Sequence, residues 1–280
     1  MLTLSFAIHP KSATYLFTAL LMSCISQSFA HPELQQQIDD VTSQIAVLPT
    51  SGVLYLRRGE LNSLHANYAA ALADYAAAEA NGADVDGVLL ARGRAYMDAG
   101  RLDDARAQLD RLVHKSPRLA AAHLAVARLC ELTSQSLAAA DAYGSAIELS
   151  DAPRPEIYLA RARCYTAAGS QFHPNAIASL NEGVKRIGPV ISLQLAAVEL
   201  ESRAGLTTAA AARLEKIAAS AARPETYLVD LSELYAKAGD ASAAASAAAR
   251  AKVAIASLPL RLRQTSATLA LLTRLEQLGI

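Results

Sequence analysis

The amino-acid sequence predicts an all-α solenoid, in which helical hairpins follow one another along the chain. Three observations predict this class. Alanine, the strongest helix former, supplies much of the 52% hydrophobic content, and only 5% of residues are aromatic. Helix-breaking glycines return at intervals, at Gly100, Gly169, Gly205 and Gly239. Similar segments align when the sequence is shifted on itself by about 34 residues, a period typical of repeats with two helices each.

Composition and charge narrow the class of protein further. The chain has 280 residues, enough for a sizeable core, and its 26 basic and 26 acidic side chains cancel. Nucleic-acid-binding proteins normally carry a basic excess that binds phosphates, so the balance argues against that class. The high apolar fraction argues against intrinsic disorder. We therefore expect a folded helical protein with no nucleic-acid partner.

Residues 1–30 are predicted to be a signal peptide. An uncharged apolar run from Thr14 to Ile25 follows Lys11. It is short for a membrane span but suits the apolar core of a secretory signal. Ser28 and Ala30 then place small residues before a cleavage site, which predicts a periplasmic or secreted chain starting after Ala30. Two alternatives stay open: a lipoprotein modified at Cys24, and a buried N-terminal helix. No later stretch is long and apolar enough to span a membrane.

Aligned segments of the sequence predict six repeats that follow one another along the chain. Residues 55–60 (Tyr-Leu-Arg-Arg-Gly-Glu) align with residues 89–94 (Leu-Leu-Ala-Arg-Gly-Arg) and with residues 158–163 (Tyr-Leu-Ala-Arg-Ala-Arg). Each segment lies in a predicted helix that is followed by a turn and a second helix. Small residues at the eighth, twentieth and twenty-seventh positions would let the two helices approach, and large ones at the fourth, eleventh and twenty-fourth would fill the space between them. The repeats begin at Gly52, Asp86, Ala120, Pro155, Val190 or Ile191, and Glu225.

This pattern resembles the tetratricopeptide repeat. In the first repeat, the family's characteristic large and small positions are occupied by Tyr55, Gly59, Ala71, Tyr75 and Ala78. The resemblance covers roughly residues 52–257 and implies a right-handed α-solenoid of about six helix-turn-helix repeats. The chain departs from the family pattern at the seventh position, where leucine is usual and this sequence has Arg58, Arg92 and Arg161; it also has no tryptophan.

Both ends of the repeat array are predicted to carry capping helices, residues 31–51 and residues 258–280. A stripe of apolar residues near the N-terminus can cover the open face of the first repeat. The alternative is a coiled-coil seam, although two heptads are short for one. The stripe consists of Leu34, Ile38, Val41, Ile45 and Leu48. At the other end, Thr265 or Ser266 can cap the N-terminus of a helix. That helix carries Leu269, Leu272, Leu275 and Leu278.

The sequence lacks the motifs of common catalytic and cofactor sites. There is no Gly-rich phosphate loop, no Gly-x-Ser-x-Gly, no His-Glu-x-x-His and no Cys-x-x-Cys. The histidines are scattered over different repeats, and we expect His123 to be a packed ring. Cys130 and Cys164 are expected to be core residues, because neighbouring helices pack about 8–10 Å apart, too far for a disulfide on average. We predict no enzyme activity, no cofactor and no metal.

The resemblance also implies a binding surface, because the first helices of tetratricopeptide repeats line a concave groove. Carried over by position, the fifth-position residues are Leu56, Leu90, Leu124 and Leu159, and the ninth-position arginines are Arg94, Arg128 and Arg163. Guanidinium groups so placed could hold carboxylates while the leucines accept apolar side chains. Alternatively, the arginines pair with nearby glutamates or stay solvated. The lysine–asparagine carboxylate clamp known in the family is missing.

The functional expectation follows from this resemblance and from the missing catalytic motifs. We expect an exported, non-enzymatic interaction scaffold that binds a peptide or protein partner, one with acidic groups, in its concave groove. The alternative is a lipidated or soluble structural subunit of a cell-envelope assembly that acts through its convex face. Because one fold serves many functions, neither expectation follows from the fold alone.

Overall fold

A computed structural model describes residues 32–279, and this range contains fifteen α-helices, one short 3₁₀ helix and no strand. The predicted all-α class is confirmed. The predicted signal peptide, with Cys24 and the cleavage site after Ala30, lies outside the described residues. Within residues 32–279, no helix is long and apolar enough to cross a membrane.

The helices are α1 (Pro32–Val47), α2 (Gly52–Leu64), α3 (Tyr68–Ala80), α4 (Val85–Asp98), α5 (Leu102–Lys115), α6 (Ala120–Leu132), α7 (Ser136–Glu148), α8 (Pro155–Ala168), the 3₁₀ helix η1 (Ser170–Phe172), α9 (His173–Ile187), α10 (Ile191–Arg203), α11 (Thr207–Ser220), α12 (Glu225–Lys237), α13 (Ala241–Ser257), α14 (Leu260–Arg263) and α15 (Ser266–Gln277).

The chain divides into two compact units, the first ending at Lys115 and the second beginning at Ser116. In unit 1, α2 packs on α3 and α4 packs on α5. In unit 2, the successive pairs are α6 with α7, α8 with α9, α10 with α11, and α12 with α13. Each pair corresponds to one of the six repeats predicted from the sequence. The boundary between the units falls inside the range predicted as one array.

Helix ends follow local chemistry. The side chain of Asp84 accepts a hydrogen bond from the backbone N–H of Gly87 at 2.8 Å, and Asp240 accepts one from Ala243 at 2.9 Å. Such caps satisfy N–H groups that have no partner inside the helix. At the turns, Gly100 and Gly239 have positive φ angles of 72° and 81°, which glycine adopts at little cost. Caps and glycines therefore set the hairpins at the intervals seen in the sequence.

The repeat register is visible in the packing between helices. A Cβ atom on Gly59 would lie 2.5 Å from the ring of Tyr75, so the eighth position of the first repeat has room only for glycine. In the fifth repeat, Leu193 and Ala197 are fully buried. They occupy the fourth and eighth positions if the repeat is counted from residue 190. Ala210, on the second helix, is also fully buried, and it occupies the twentieth position only if the repeat is counted from residue 191. The ambiguity in the sequence therefore reflects one extra residue between the two helices.

The seventh-position arginines, which depart from the family pattern, all form ion pairs. Arg58 donates to Asp74 at 2.6 Å, and Asn62 donates to the same carboxylate at 2.9 Å. Arg92 pairs with Glu79 at 2.8 Å. Arg161 pairs with Glu182 at 3.0 Å. Each arginine thus lies against a second helix and bonds to a carboxylate there, where the family packs a leucine.

The terminal helices bury most, but not all, of the apolar residues expected to face the repeats. In unit 1, α1 packs on α2 through Ile38, Val41 and Ile45, whereas Leu48 is 58% exposed. In unit 2, Thr265 caps α15 by accepting from the N–H of Thr268 at 3.3 Å, and α15 packs on α12 and α13. This helix buries Thr268, Leu271 and Leu275. Leu269 is 51% exposed. The expected stripes were therefore wrong at Leu48, which lies just beyond the end of α1, and at Leu269, because the buried face of α15 is narrower than the stripe.

Candidate functional site

All seven residues predicted to line a groove lie on the first helices of repeats. The four leucines are half-buried and the three arginines are exposed. Unit 1 holds Leu56 on α2 and Leu90 and Arg94 on α4. Unit 2 holds Leu124 and Arg128 on α6, and Leu159 and Arg163 on α8. The structure thus groups these residues as three in one unit and four in the other.

The exposed arginines differ from the seventh-position arginines in having no partner. Among residues 32–279, no hydrogen bond or ion pair involves the side chain of Arg94, Arg128 or Arg163. The proposed pairing with nearby glutamates is therefore not observed in this part of the chain. Their guanidinium groups face solvent with all five donors available.

In unit 2, Leu159 and Arg163 line a cavity of about 480 Å³ between α8 and α10. Its floor includes Leu180, which is fully buried, and Leu200, which is 7% exposed. Alanines leave the cavity open because their side chains end at Cβ. The remaining lining residues are Ala162, Thr166, Ala167, Ala196, Glu199 and Arg203. The cavity is therefore an apolar depression with arginines at its edge.

A second cavity, of about 550 Å³, continues from the first across α10 and α12. The two cavities share Glu199 and Arg203, which form an ion pair on the surface of α10. The other lining residues are Leu195, Val198, Ser202, Leu214, Asp230, Glu233, Leu234 and Lys237. Together the two cavities form one surface, hereafter the α8–α12 groove.

The carboxylate of Glu131 on α6 is already bonded to other groups. The Tyr143 hydroxyl donates to its Oε2 at 2.7 Å, and the Cys164 thiol donates to its Oε1 at 3.6 Å. Burial, and then the charge of Glu131, raise the pKa of Cys164 to about 12, although the positive charge of Arg163 lowers it. Burial and Glu131 also raise the pKa of Tyr143 above its usual range. Both groups stay protonated at neutral pH, and Arg163 is left without a carboxylate of its own.

At the other end of the α8–α12 groove, two carboxylates share one arginine of the C-terminal helix. Arg274 on α15 donates from Nε to Glu233 at 2.7 Å and from Nη2 to Asp230 at 2.6 Å. These hydrogen bonds raise the pKa of Arg274 above its ordinary value, and the one to Glu233 has the larger effect. The groove therefore keeps an uncompensated positive charge at its α8 end.

Unit 1 has a different pocket on its first helices, hereafter the α2–α4 pocket, with a volume of about 470 Å³. Arg94 shares it with two acidic residues, Glu60 and Asp98. The other lining residues are Ser63, Leu64, Tyr68, Tyr75 and Ala91. Burial raises the pKa of Tyr75 to about 12, a hydrogen bond with Ser63 lowers it, and the charges of Glu60, Asp74 and Asp98 raise it. The formal charge of the side chains lining this pocket is −1.

Sequence reasoning missed several residues of the α8–α12 groove. Glu199 and Arg203 were not identified because the register of the fifth repeat was ambiguous by one residue. Arg274 reaches Glu233 from 41 residues further along the chain, and no local pattern signals that contact. Lys237 occupies the thirteenth position of the sixth repeat, where the resemblance alone could have suggested it.

The histidine and cysteines that could have carried chemistry are in structural roles. His123 is half-buried, and its Nε2 donates to the carbonyl oxygen of Pro117 at 2.8 Å. Cys130 and Cys164 are both buried and free. Across residues 32–279, no group of three or more His, Cys, Asp or Glu side chains is arranged to hold a metal ion.

Comparison with known proteins bears on the fold. No protein-family model and no curated protein matches the sequence. The C-terminal part of a TPR repeat-containing protein from Cytophaga hutchinsonii has a similar structure, with a TM-score of 0.61 and 16% sequence identity over 81% of this chain and 95% of that one. A tetratricopeptide repeat protein from Parabacteroides merdae gives a TM-score of 0.49 at 14% identity over 87% and 93% of the two chains. The repeat register, the paired helices and the similarity to the Cytophaga hutchinsonii structure together show that the chain has a tetratricopeptide-repeat fold.

Proposed function

We propose that the chain is a non-enzymatic binding scaffold whose α8–α12 groove takes a peptide with an apolar side chain beside a carboxylate. One observation carries this proposal: an apolar cavity with the unpaired Arg163 at its edge. Pockets that bind ligands combine an apolar lining with a few polar groups that fix orientation. Here Leu159, Leu180 and Leu200 supply the lining and Arg163 supplies the polar group.

The magnitudes of the two contacts are sufficient for a specific peptide complex. Burying a leucine-sized side chain contributes about 1.5–3 kcal/mol. A guanidinium–carboxylate hydrogen bond contributes roughly 1.5–3 kcal/mol, and a planar guanidinium can make two such bonds side by side. Arg128 adds a second positive charge on α6, which would speed association with an acidic segment. An acidic peptide with one apolar anchor therefore fits the surface best.

The cavity itself can be tested by filling it. Ala167 is exposed on α8 and lines the cavity, so Ala167→Phe should occupy the space that an apolar anchor needs. Ala178→Phe, on the exposed face of the second helix α9, is the matched control. Peptides selected from a random library on the wild-type chain would be titrated into both variants by calorimetry. We expect Ala167→Phe to weaken binding by about tenfold or more, given the energy of one buried side chain. Equal binding to both variants would contradict the groove and favour the convex face.

We also propose that this function is exercised outside the cytoplasm. The apolar run from Thr14 to Ile25 and the small residues Ser28 and Ala30 support export.

A further inference from the structure

The α2–α4 pocket of unit 1 has an electrostatic character that the α8–α12 groove does not share. Glu60 and Asp98 bring two negative charges, and Arg94 brings one positive charge. Even if Arg94 pairs with one carboxylate, the other remains uncompensated. Among residues 32–279, none hydrogen-bonds to or forms an ion pair with the side chain of Glu60, Asp98 or Arg94. The pocket therefore attracts a cation.

An exposed apolar side chain at the same pocket points independently to a ligand. Leu64 is 73% exposed although it lines the pocket, and the half-buried Tyr68 and the buried Tyr75 line the same pocket. An aliphatic part of a ligand that packs on Leu64 would remove this exposed apolar surface from water. Lysine and arginine side chains have an apolar stem that packs on such surfaces and a charged head that stays near water or carboxylates. Tyrosine rings add a favourable interaction with a cationic head group.

We propose that the α2–α4 pocket binds a lysine or arginine side chain of a peptide partner. The aliphatic stem packs on Leu64 and Tyr68, and the cationic head lies between Glu60 and Asp98. Arg94 limits affinity in this arrangement, since it repels the head group and competes for the carboxylates. The site is separate from the α8–α12 groove, and the proposal does not depend on what that groove binds.

The test uses blocked tripeptides and the whole chain. Acetyl-Gly-Lys-Gly-amide, acetyl-Gly-Gln-Gly-amide and acetyl-Gly-Glu-Gly-amide carry no terminal charges, so Arg94 can bind only a side chain. Titration into the ¹⁵N-labelled protein, followed by amide NMR, locates the binding site on the chain. We expect the lysine peptide, and not the glutamine peptide, to shift amides in residues 60–68 and 91–98. Added salt should weaken the interaction, because screening acts on exposed charges.

Variants separate the roles of the three charges. Replacing both acids, in Glu60→Gln with Asp98→Asn, should weaken lysine-peptide binding by about tenfold or more, because two charge-assisted contacts are lost. Arg94→Gln should tighten it by roughly two- to fivefold, as expected for removing one exposed like charge. Asp110→Asn, an exposed acid on α5, is the control and should change nothing. Circular dichroism on each variant verifies the fold.

Three results would overturn the proposal. The lysine and glutamine peptides could shift the same amides equally, or the lysine peptide could cause no shift at its highest soluble concentration. The glutamate peptide could bind unit 1 in a way that Arg94→Gln abolishes, in which case Arg94 receives a carboxylate. None of these results depends on the Ala167→Phe experiment, so each site stands or fails by itself.

Discussion

At the scale of single residues, the position within the repeat decides what an arginine does. Seventh-position arginines such as Arg58 and Arg161 lie against a second helix, where a charge without a partner is costly, and both form ion pairs. Ninth-position arginines such as Arg128 and Arg163 face solvent, where water satisfies the charge, and they are unpaired in the described range. The first group therefore acts in stability, and the second is available for a ligand.

The buried hydroxyl of Tyr75 predicts a loss of stability at alkaline pH. Its pKa is raised from 10.0 to about 12, chiefly by burial, so the folded state favours the neutral phenol. This contribution is fully present below the unfolded pKa and is lost as the pH rises through the folded one. Urea unfolding between about pH 9 and about pH 12 should show falling stability, and Tyr75→Phe should reduce the slope. An identical slope in wild type and Tyr75→Phe would contradict this assignment.

At the scale of helices and repeats, the sequence was sufficient to predict the helices and their pairing. It was insufficient to predict the surface that the paired helices form. The large and small residues fixed the helix pairs, because Gly59 and Tyr75 must meet for the first pair to close. Exposure of Leu48 and Leu269 could not be predicted, since periodicity does not show where a helix ends or how wide a face the neighbour covers. The cavities depend on helix spacing and on Arg274, which comes from a distant segment. The sequence therefore placed the predicted groove residues on the first helices of the repeats, and it did not show the pockets between them.

The contact between paired helices can be tested with two glycines. Gly59→Ala places a Cβ 2.5 Å from the Tyr75 ring, and such overpacking costs typically about 1–3 kcal/mol. Gly87, inside α4, is the control, because the nearest atoms to its added Cβ are the Asp84 side chain at 3.3 Å and Leu56 at 3.5 Å. Helix propensity favours alanine by about 0.5–1 kcal/mol, so Gly87→Ala should be neutral or stabilising. Thermal and urea unfolding would measure both. Equal effects at the two positions would show that the helix register is wrong.

At the scale of the whole molecule, the two units offer ligands different charges. The formal charge of the sequence is zero, yet the α2–α4 pocket of unit 1 has a negative lining and the α8–α12 groove of unit 2 has an unpaired positive edge. Each surface can therefore select its own ligand through charge, and both interactions should weaken as salt is added. A partner with basic and acidic segments would satisfy both.

Export is a prediction about the N-terminus of the mature chain. We expect a start at His31, because Ser28 and Ala30 place small residues before that position. N-terminal sequencing and intact mass of the protein recovered from the cell-envelope fraction would measure it. A mature chain beginning with a lipid-modified Cys24 would support the lipoprotein alternative instead. Recovery of a chain that still begins at Met1, from the cytoplasm, would contradict export altogether.

The central claim is that the unpaired Arg163 at the edge of the α8–α12 groove holds a carboxylate of a peptide, and that the exposed Arg128 on α6 adds to the attraction. Calorimetric titration of a library-selected acidic peptide into the wild type, Arg128→Ala with Arg163→Ala, and Arg154→Ala tests it most directly. Arg154 is exposed and does not line the groove, so it controls for general loss of charge. The double variant should bind about tenfold or more weakly, as expected for a lost charge-assisted bond, while the control binds like the wild type. Unchanged affinity in a double variant with a native circular dichroism spectrum would contradict the claim.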